Sequence, residues 1–332
     1  MMSLDEFLAE WNNGDHRLLV HTSGSTGMPK PLWVEKSRME ASARMTCDFL
    51  GLREGDRALL CLPLDYIAGK MMVVRSLVRK LELVSVEPCG HPLESPLPPL
   101  DFAAMVPLQV WNSLQVPKER ERLMNIRHLI IGGGPIDDAL ADALKDFPNA
   151  VWSTYGMTET LSHVALRRLN GTEPSEWYTP FDGVEVSLNE DGCLVINAPY
   201  VCNGPLTTND IAELQISGDK KVFRILGRRD NVICSGGIKI QAEEVERLLG
   251  RHLSSAFMIT KCRDEKFGEC VVLLTEGDVE DARRICEQVL PKHWRPRHYL
   301  HVAQIPTTET GKPSRVLAQQ IAEELVENID AS

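Results

Sequence analysis

The sequence predicts an α/β protein whose large N-terminal domain combines parallel or mixed sheets with flanking helices, followed by a small α+β domain. The chain has 332 residues, which exceeds the usual size of a single core. Residues 127–155 follow the pattern strand, turn, helix, strand, which is typical of a parallel sheet covered by helices. Residues 184–226 are short alternating runs separated by turn residues, which predicts an antiparallel subdomain. We therefore expect domains at 1–228 and 229–332, divided at the polar turn 229–231.

The elements of the large domain are indicated in order along the chain. Apolar runs predict a strand at 17–21, a strand at 57–62, a helix near 71–78 and a strand at 81–86. The clearest unit begins with a buried strand at His128–Ile131 and a sharp turn at 132–135. A helix with Leu140 and Leu144 on one face follows, and a second strand begins at Ala150.

Composition and charge exclude several classes of protein. The net charge of -11 argues against a general nucleic-acid binder, because neutralising phosphates requires clustered Lys and Arg. No apolar run approaches the ~18–20 residues that span a bilayer, and the polar first residues do not resemble a secretory signal. The nine cysteines include no CxxC pair and suit a reducing cytoplasm. We therefore expect a cytoplasmic protein without nucleic-acid or membrane partners, and a homodimer is compatible with the sequence.

The loop at residues 22–30 reads TSGSTGMPK and follows the first predicted strand. Its glycines let the backbone approach a phosphate, its hydroxyl and N–H groups can donate hydrogen bonds, and Lys30 adds positive charge. It is not a Walker A loop, because Pro29 and Pro31 flank the lysine. Taken alone, the segment fits a phosphate-binding loop and a polar surface loop equally well.

Two further motifs carry groups suited to a nucleotide. Residues 155–160 read YGMTET at the end of a strand, where a tyrosine can stack on a base and a carboxylate can hold a divalent cation. The same segment also fits the capped start of a helix. Residues 207–210 read TTND between two predicted strands, where Asp210 can accept both hydroxyl hydrogens of a ribose or belong to an ordinary Asn-Asp turn.

The C-terminal part contains two more motifs. Residues 227–246 read GRRDNVICSGGIKIQAEEVE, in which paired glycines precede a strand and residues 243–246 open an amphipathic helix. Residues 306–315 read PTTETGKPSR and place Lys312 in a loop. Taken alone, Lys312 fits a solvated surface lysine.

In this order the motifs resemble the adenylate-forming superfamily of acyl- and aryl-CoA synthetases, peptide-synthetase adenylation domains and luciferases. TSGSTGMPK resembles its phosphate loop, YGMTET its adenine-and-magnesium motif, and TTND its usual TGD segment with Asn209 in place of glycine. GRRDNVICSGGIKIQAEEVE resembles its hinge with the following strand and helix, and GKPSR its C-terminal lysine motif. The resemblance runs from His21 to Arg315 and implies an acid–thiol ligase that uses ATP, Mg²⁺, coenzyme A and a small carboxylic acid.

The resemblance also implies the catalytic residues. Lys312 would stabilise charge while the substrate carboxylate attacks the α-phosphate, in the electrostatic role of a fixed ammonium. Thr158 and Glu159 would be the other catalytic residues, with Glu159 as the Mg²⁺ ligand. Asp230 would be the hinge about which the small domain rotates between the two half-reactions.

The nucleotide and thiol sites are implied in the same way. Tyr155 would flank adenine, Asp210 and Arg228 would hold the ribose, and residues 235–237 would face the thiol. The complete set implied at the ATP and coenzyme A sites is Thr22, Ser23, Gly24, Ser25, Thr26, Gly27, Lys30, Gly133, Gly134, Tyr155, Gly156, Asp210, Arg228, Ser235, Gly236 and Gly237.

Within the superfamily, GGGP, YGMTET followed by Ser-His, and SGGIKIQ make the chain most similar to short o-succinylbenzoate–CoA ligases of menaquinone biosynthesis. That resemblance implies an aryl-acid pocket near Tyr66, Ser162 and His163. His163 would bind a substrate carboxylate there or serve as a structural hydrogen-bonding residue.

Three departures from the superfamily pattern bear on this interpretation. Its members are commonly longer, so much of an N-terminal subdomain is expected to be missing. Pro31 stands where glycine is usual, and Tyr66 stands where histidine is frequent. The alternatives left open are another aryl- or acyl-CoA synthetase, an adenylation domain that loads a carrier protein, and a non-catalytic nucleotide-binding relative.

Overall fold

A computed structural model describes residues 2–21, 31–307 and 313–330. Its helices are α1 (Leu4–Asn12), α2 (Lys36–Leu50), α3 (Ile67–Arg79), α4 (Pro107–Gln115), α5 (Pro117–Met124), α6 (Asp138–Leu144), α7 (Ala242–Leu249), α8 (Val279–Val289) and α9 (Arg315–Asp330). Its strands are β1 (Arg17–His21), β2 (Pro31–Glu35), β3 (Arg57–Leu60), β4 (Glu82–Ser85), β5 (Phe102–Met105), β6 (His128–Ile131), β7 (Ala150–Gly156), β8 (His163–Arg168), β9 (Thr179–Pro180), β10 (Glu185–Leu188), β11 (Cys193–Asn197), β12 (Leu206–Ser217), β13 (Lys220–Arg228), β14 (Val232–Ser235), β15 (Ile238–Gln241), β16 (Phe257–Asp264), β17 (Gly268–Thr275) and β18 (His298–His301). Short 3₁₀ turns lie at Thr158–Thr160, Arg229–Asn231 and Lys292–Trp294.

Local sequence explains where several helices begin and end. Pro107 and Pro117 occupy the first positions of α4 and α5, where the missing N–H costs no hydrogen bond and the fixed φ suits a helix. Gly51 ends α2 with a φ of 64°, a left-handed conformation that glycine adopts without steric cost.

The largest sheet has seven strands in the order β4-β3-β5-β6-β7-β8-β9. Its first five strands are parallel. Strand β8 pairs antiparallel with β7, and β9 pairs antiparallel with β8. All four residues of β5 are buried, as expected for a strand whose two faces are covered. The mixed α/β fold predicted from the sequence is thereby confirmed.

A second sheet has four strands in the order β10-β11-β12-β13, as the alternating pattern of residues 184–226 predicts. One detail of the prediction is wrong. The TTND segment was expected to connect two strands, but residues 207–210 lie inside β12, which continues from Leu206 to Ser217. Asn and Asp favour turns locally, and pairing within the sheet overrides that preference here.

The C-terminal sheet has the strand order β15-β14-β17-β16, with β18 parallel to β17. Successive residues of β17 alternate between its faces, so that Val271 and Leu273 pack with α7 and α8 residues while Val272 and Leu274 pack with α9 residues. Both faces of this sheet therefore contribute to an apolar core.

The chain divides into two compact units. The first consists of Met1–Ser187, Val195–Thr207 and Leu214–Arg224, and the second of Leu188–Leu194, Thr208–Glu213 and Ile225–Ser332. The predicted domain limit between residues 228 and 229 stays a proposal. Among the described residues, none of the helices is both long enough and apolar enough to cross a membrane.

Candidate active site

In the first unit, two glycine-containing turns meet at one edge of the parallel sheet. Strands β6 and β7 are parallel with Ile131 opposite Ser153, so the turn after β6 and the end of β7 lie side by side. Gly133 has a φ of 82°, which L side chains rarely adopt. A Cβ on Gly132 would lie 2.2 Å from Thr154 Oγ1, so the turn passes directly against β7. In parallel sheets this carboxyl edge is where nucleotides bind.

Tyr155 stands at this edge within a group of aromatic rings. Its ring centroid lies 5.0 Å from that of Phe223 in an edge-on arrangement and 5.7 Å from that of Tyr178. The Tyr178 hydroxyl and Ser153 Oγ are 2.8 Å apart. These contacts fix the half-buried Tyr155 ring, and a fixed aromatic ring is a suitable stacking surface for a base.

The segment after Tyr155 is tightly constrained. A Cβ on Gly156 would lie 2.3 Å from the carbonyl oxygen of Ser162, and the ladder between β7 and β8 is irregular at this point. Thr160 Oγ1 donates to the Ser162 carbonyl oxygen at 2.7 Å. Leu161 has a φ of 66°, an unfavourable conformation for a leucine that the surrounding contacts maintain. Within this turn Thr158 is buried and Glu159 is exposed, so the Glu159 carboxylate is accessible to a cation.

A chain of buried polar groups begins directly behind this turn. Arg75 Nη2 donates to Ser162 Oγ at 2.5 Å, and Ser162 Oγ lies 3.2 Å from His163 Nδ1. His163 Nε2 lies 3.1 Å from Thr46 Oγ1, which donates to the Ser42 carbonyl oxygen at 3.2 Å.

The donors and acceptors in this chain favour the histidine tautomer that carries its proton on Nε2. Because Arg75 donates to Ser162 Oγ, the serine hydroxyl hydrogen is free to point at Nδ1. Since the Thr46 hydroxyl hydrogen is directed to Ser42, the threonine oxygen accepts from His163 Nε2–H. Burial and the neighbouring Arg75 charge hold the pKa of His163 well below its usual value, which agrees with a neutral ring.

Arg75 is the cation of this cluster. Its side chain is 2% exposed, and burial lowers the pKa of the guanidinium to about 10, so it remains charged at neutral pH. Within the described ranges no carboxylate forms an ion pair with Arg75, and its Nε has no hydrogen-bond partner there. A buried cation without an anion is unusual in a folded protein.

In the second unit, the structure brings together three residues implied for the ribose and the hinge. Arg228 Nη1 lies 3.2 Å from Asp210 Oδ1, and Arg228 Nη2 lies 3.1 Å from Asp230 Oδ2. Asn209, at the position where glycine is usual, donates from Nδ2 to Asp230 Oδ2 at 3.3 Å. Asn209 therefore belongs to the same polar group as the predicted hinge residue.

The residues implied at the thiol site form a tight hairpin between β14 and β15. Gly236 and Gly237 have φ values of 58° and 82°, the two positive values that a two-residue hairpin turn requires. The Gly236 N–H donates to the Phe267 carbonyl oxygen at 2.9 Å, and a Cβ on Gly236 would lie 2.7 Å from the Phe267 ring. These glycines are needed for the turn itself, whatever ligand it faces.

The predicted phosphate-loop residues and the predicted catalytic lysine lie outside the described residues. They comprise Thr22, Ser23, Gly24, Ser25, Thr26, Gly27 and Lys30 of the phosphate loop, together with Lys312.

Backbone pairing and hydrogen bonds hold the residues on either side of these two segments. His21 pairs with Pro31 across β1 and β2, and Thr307 pairs with Pro313. After the second pair, Arg315 donates to Glu246 Oε2 at 2.6 Å and to the Ile259 carbonyl oxygen at 2.8 Å. Arg315 thereby anchors the segment that follows Lys312.

The sequence interpretation missed Arg75 and Thr46 and grouped Tyr66 with Ser162 and His163. Tyr66 is exposed at the N-cap of α3, and its position at the acid pocket with Ser162 and His163 stays a prediction. The available signal for Arg75 was a single charged residue within an apolar helical run. Thr46 gave no signal, because a threonine within a helix has many ordinary explanations.

Comparison with known proteins adds the family. Residues 6–197 match the family described as AMP-binding enzyme, which is more than half of the chain. The chain belongs to the AMP-binding enzyme family. The predicted membership of the adenylate-forming superfamily and the predicted class of acid–thiol ligase are thereby confirmed.

Several relatives of this AMP-binding enzyme have been described. It is 36% identical to an acyl-CoA synthetase (AMP-forming)/AMP-acid ligase II-like protein from Dyadobacter fermentans, with a TM-score of 0.64 over 94% of this chain and 91% of that one. It is 24% identical to the 2-succinylbenzoate–CoA ligase of Bacillus cereus over 92% of this chain and 70% of the relative. The O-succinylbenzoate coenzyme A synthetase of Bacillus subtilis, solved with ATP and magnesium ion, shares the fold with a TM-score of 0.73 at 22% identity, over 90% of this chain and 68% of that one.

Proposed function

We propose that this AMP-binding enzyme is an ATP-dependent acid–CoA ligase whose substrate carries two carboxylates, with o-succinylbenzoate as the preferred acid. The observation that carries the proposal is the buried Arg75 guanidinium, which has no carboxylate partner among the described residues and contacts Ser162. Such a cation can pair with a second carboxylate, which a simple monocarboxylic acid lacks.

The energetics of burial support a ligand as the missing anion. An uncompensated buried charge costs several kcal/mol, and a partly compensating anion recovers much of that cost. Ser162 is half-buried and receives the Arg75 hydrogen bond. A second substrate carboxylate beside Arg75 would supply the negative charge that none of the described residues provides.

His163 then has a positioning role and does not itself supply charge. Its depressed pKa keeps the ring neutral, and both ring nitrogens are engaged by hydroxyl groups. The ring also packs edge-on against Phe181 at 5.5 Å. We propose that His163 orients the Ser162 hydroxyl, while Arg75 provides the charge that recognises the acid.

For the nucleotide, the chemistry of the side chains fits the proposed roles. Tyr155 offers a fixed ring for adenine, and Gly133 and Gly134, in the turn at the same edge of the sheet, have no side chains to obstruct a ligand. Asp210, oriented by Arg228, offers acceptors for ribose hydroxyls. The exposed Glu159 carboxylate suits Mg²⁺, which when bound would neutralise phosphate charge.

The proposed reaction has two half-reactions. In the first, an oxygen of the substrate carboxylate attacks the α-phosphorus of ATP, forming the acyl-adenylate as the bond to pyrophosphate breaks. Lys312 would stabilise the charge that develops. In the second, the coenzyme A sulfur attacks the acyl carbon, AMP leaves and the thiol proton passes to solvent. The same proposal assigns the enzyme to menaquinone biosynthesis and places it in the cytoplasm.

The test is pyrophosphate release with ATP, Mg²⁺ and a panel of acids, with thioester formation followed by mass spectrometry. The proposal expects release with o-succinylbenzoate and a thioester only when coenzyme A is present. Release with a monocarboxylate alone would indicate another acyl- or aryl-CoA synthetase, and transfer only to a carrier protein would indicate an adenylation domain.

A catalytic variant separates an enzyme from a nucleotide-binding relative. Lys312→Ala should bind ATP as the wild type does and lose acid-dependent pyrophosphate release. ATP binding with no release in the wild type, for any acid, would contradict the proposed ligase activity.

A further inference from the structure

The C-terminal sheet contains a convergence of metal-binding side chains that the ligase chemistry does not use. Cys262 of β16 and Cys270 of β17 are directly opposite each other across the antiparallel pair, and their Sγ atoms are 3.3 Å apart. His298 of β18 approaches them from the other side of β17. One ligand atom from each of the three residues lies within 4.8 Å of the others.

We propose that Cys262, Cys270 and His298 bind one thiophilic divalent cation, of which Zn²⁺ is the natural candidate. Two thiolates and an imidazole form a preferred ligand set for zinc, and water would complete a tetrahedron. Zinc–sulfur bonds of about 2.3 Å place two coordinated sulfurs about 3.7 Å apart, close to the separation already present. Coordination releases the two thiol protons to the solvent.

The surroundings can accommodate a neutral metal complex. Both thiols are buried on the face of the sheet that packs with α9, beside Val272 and Ala322. Two thiolates cancel the charge of a divalent cation, so the complex adds no net charge to this apolar region.

The position of His298 is the second reason to infer a metal site. The ring is half-buried, and neither nitrogen hydrogen-bonds to another residue in the described part of the chain. His298 therefore offers a free ligand atom beside the two thiols. A disulfide between Cys262 and Cys270 would leave the convergence of this third ligand unexplained.

No sequence motif indicates this site. The two cysteines are eight residues apart and the histidine follows much later, which matches no usual zinc spacing. Strand pairing alone brings the three side chains together.

The test uses the full chain, reduced and stripped of metal under anaerobic conditions. Co²⁺ is added first, because thiolate–cobalt bonds give a charge-transfer absorption, and Zn²⁺ affinity is then measured against a chromophoric chelator. We expect one ion per chain with the charge-transfer band, and a rise in the thermal transition of the wild type with Zn²⁺.

Variants locate the ion. Cys262→Ser and His298→Gln should each weaken binding more than about 100-fold, since loss of an outer-shell partner alone costs about 10–100-fold. The exposed Cys234, changed in Cys234→Ser, is the matched control and should bind as the wild type does. His298→Gln keeps both buried thiols, so its circular dichroism separates loss of metal from loss of fold.

Three results would overturn the proposal. The first is an absence of cobalt–thiolate absorption in the wild type. The second is equal affinity in the wild type and in His298→Gln. The third is formation of a Cys262–Cys270 disulfide in air at the same rate with and without Zn²⁺.

Discussion

Arg75 donates a hydrogen bond of 2.5 Å to Ser162 across 87 residues of sequence, and this contact connects the interior of α3 to the turn that follows the YGMTET motif. Arg75 belongs to the sheet-covering helix and Ser162 to the segment that ends at β8. The buried positive charge of Arg75 therefore contacts a hydroxyl at the proposed acid site.

The buried histidine predicts how stability depends on pH. Its folded-state pKa lies well below the unfolded value of about 6.5, so below that pH the unfolded chain binds a proton that the folded chain does not. Stability from this group is complete above about pH 6.5 and falls as the pH is lowered, by about 1.4 kcal/mol per pH unit. Urea unfolding at several pH values should show this loss in the wild type.

Replacement of the histidine isolates its contribution. His163→Gln should have a shallower pH dependence than the wild type below pH 6.5, whereas His252→Gln, at an exposed position, should follow the wild type. If His163→Gln and the wild type had parallel curves, His163 would not be the neutral buried group described here.

Gly156 is predicted to tolerate no side chain. In Gly156→Ala the new Cβ would overlap the Ser162 carbonyl oxygen, 2.3 Å away, and that atom belongs to the backbone. We expect a loss of about 2–4 kcal/mol in unfolding free energy, measured by urea titration. Gly134→Ala is the control, because its Cβ would lie 3.6 Å from Pro107, an ordinary contact. Equal stability of the two variants would contradict the close approach of β7 and the turn.

The ion pair between Arg315 and Glu246 is predicted to stabilise the C-terminal unit. Arg315→Met leaves Glu246, whose pKa burial raises, without its guanidinium partner. Because both side chains are partly exposed, we expect a loss of about 2 kcal/mol by chemical denaturation. Arg263 is exposed, and Arg263→Met is the control. This variant should lose less than about 0.5 kcal/mol of unfolding free energy.

A second substitution checks that the pair itself is responsible. Glu246→Met combined with Arg315→Met should recover part of the lost stability, since no uncompensated carboxylate then remains. Strictly additive losses would show that the two residues stabilise the unit independently.

Much of the fold was predictable because periodicity and turn residues agree with the tertiary structure. The buried run at His128–Ile131 and the glycines after it indicate a parallel strand and its turn, and both are present. Local preference failed at Asn209 and Asp210, where sheet pairing in β12 outweighs the turn propensity of these residues.

The candidate site was predictable only where its residues fall in contiguous motifs. Tyr155, Asp210 and Arg228 each belong to such a motif. Arg75 and Thr46 reach Ser162 and His163 from separate helices, and the Cys262–Cys270–His298 cluster comes from three strands. Contacts of this kind depend on the packing of distant segments, for which a single sequence has no local signal.

We propose that Arg75 recognises a second carboxylate of the acid. This role is tested by comparing kcat/KM for o-succinylbenzoate with kcat/KM for the analogue lacking the ring carboxylate. The comparison is made in the wild type and in Arg75→Met, which keeps an apolar side chain in the core. Arg79→Met is the control, since Arg79 lies on the same helix and pairs with Asp48. We expect the preference for the dicarboxylate to fall about 100-fold in Arg75→Met and to stay unchanged in Arg79→Met. The size of this loss is expected because a hydrogen bond to a charged group contributes up to about 3 kcal/mol. An unchanged preference, with both acids slowed equally, would contradict the claim.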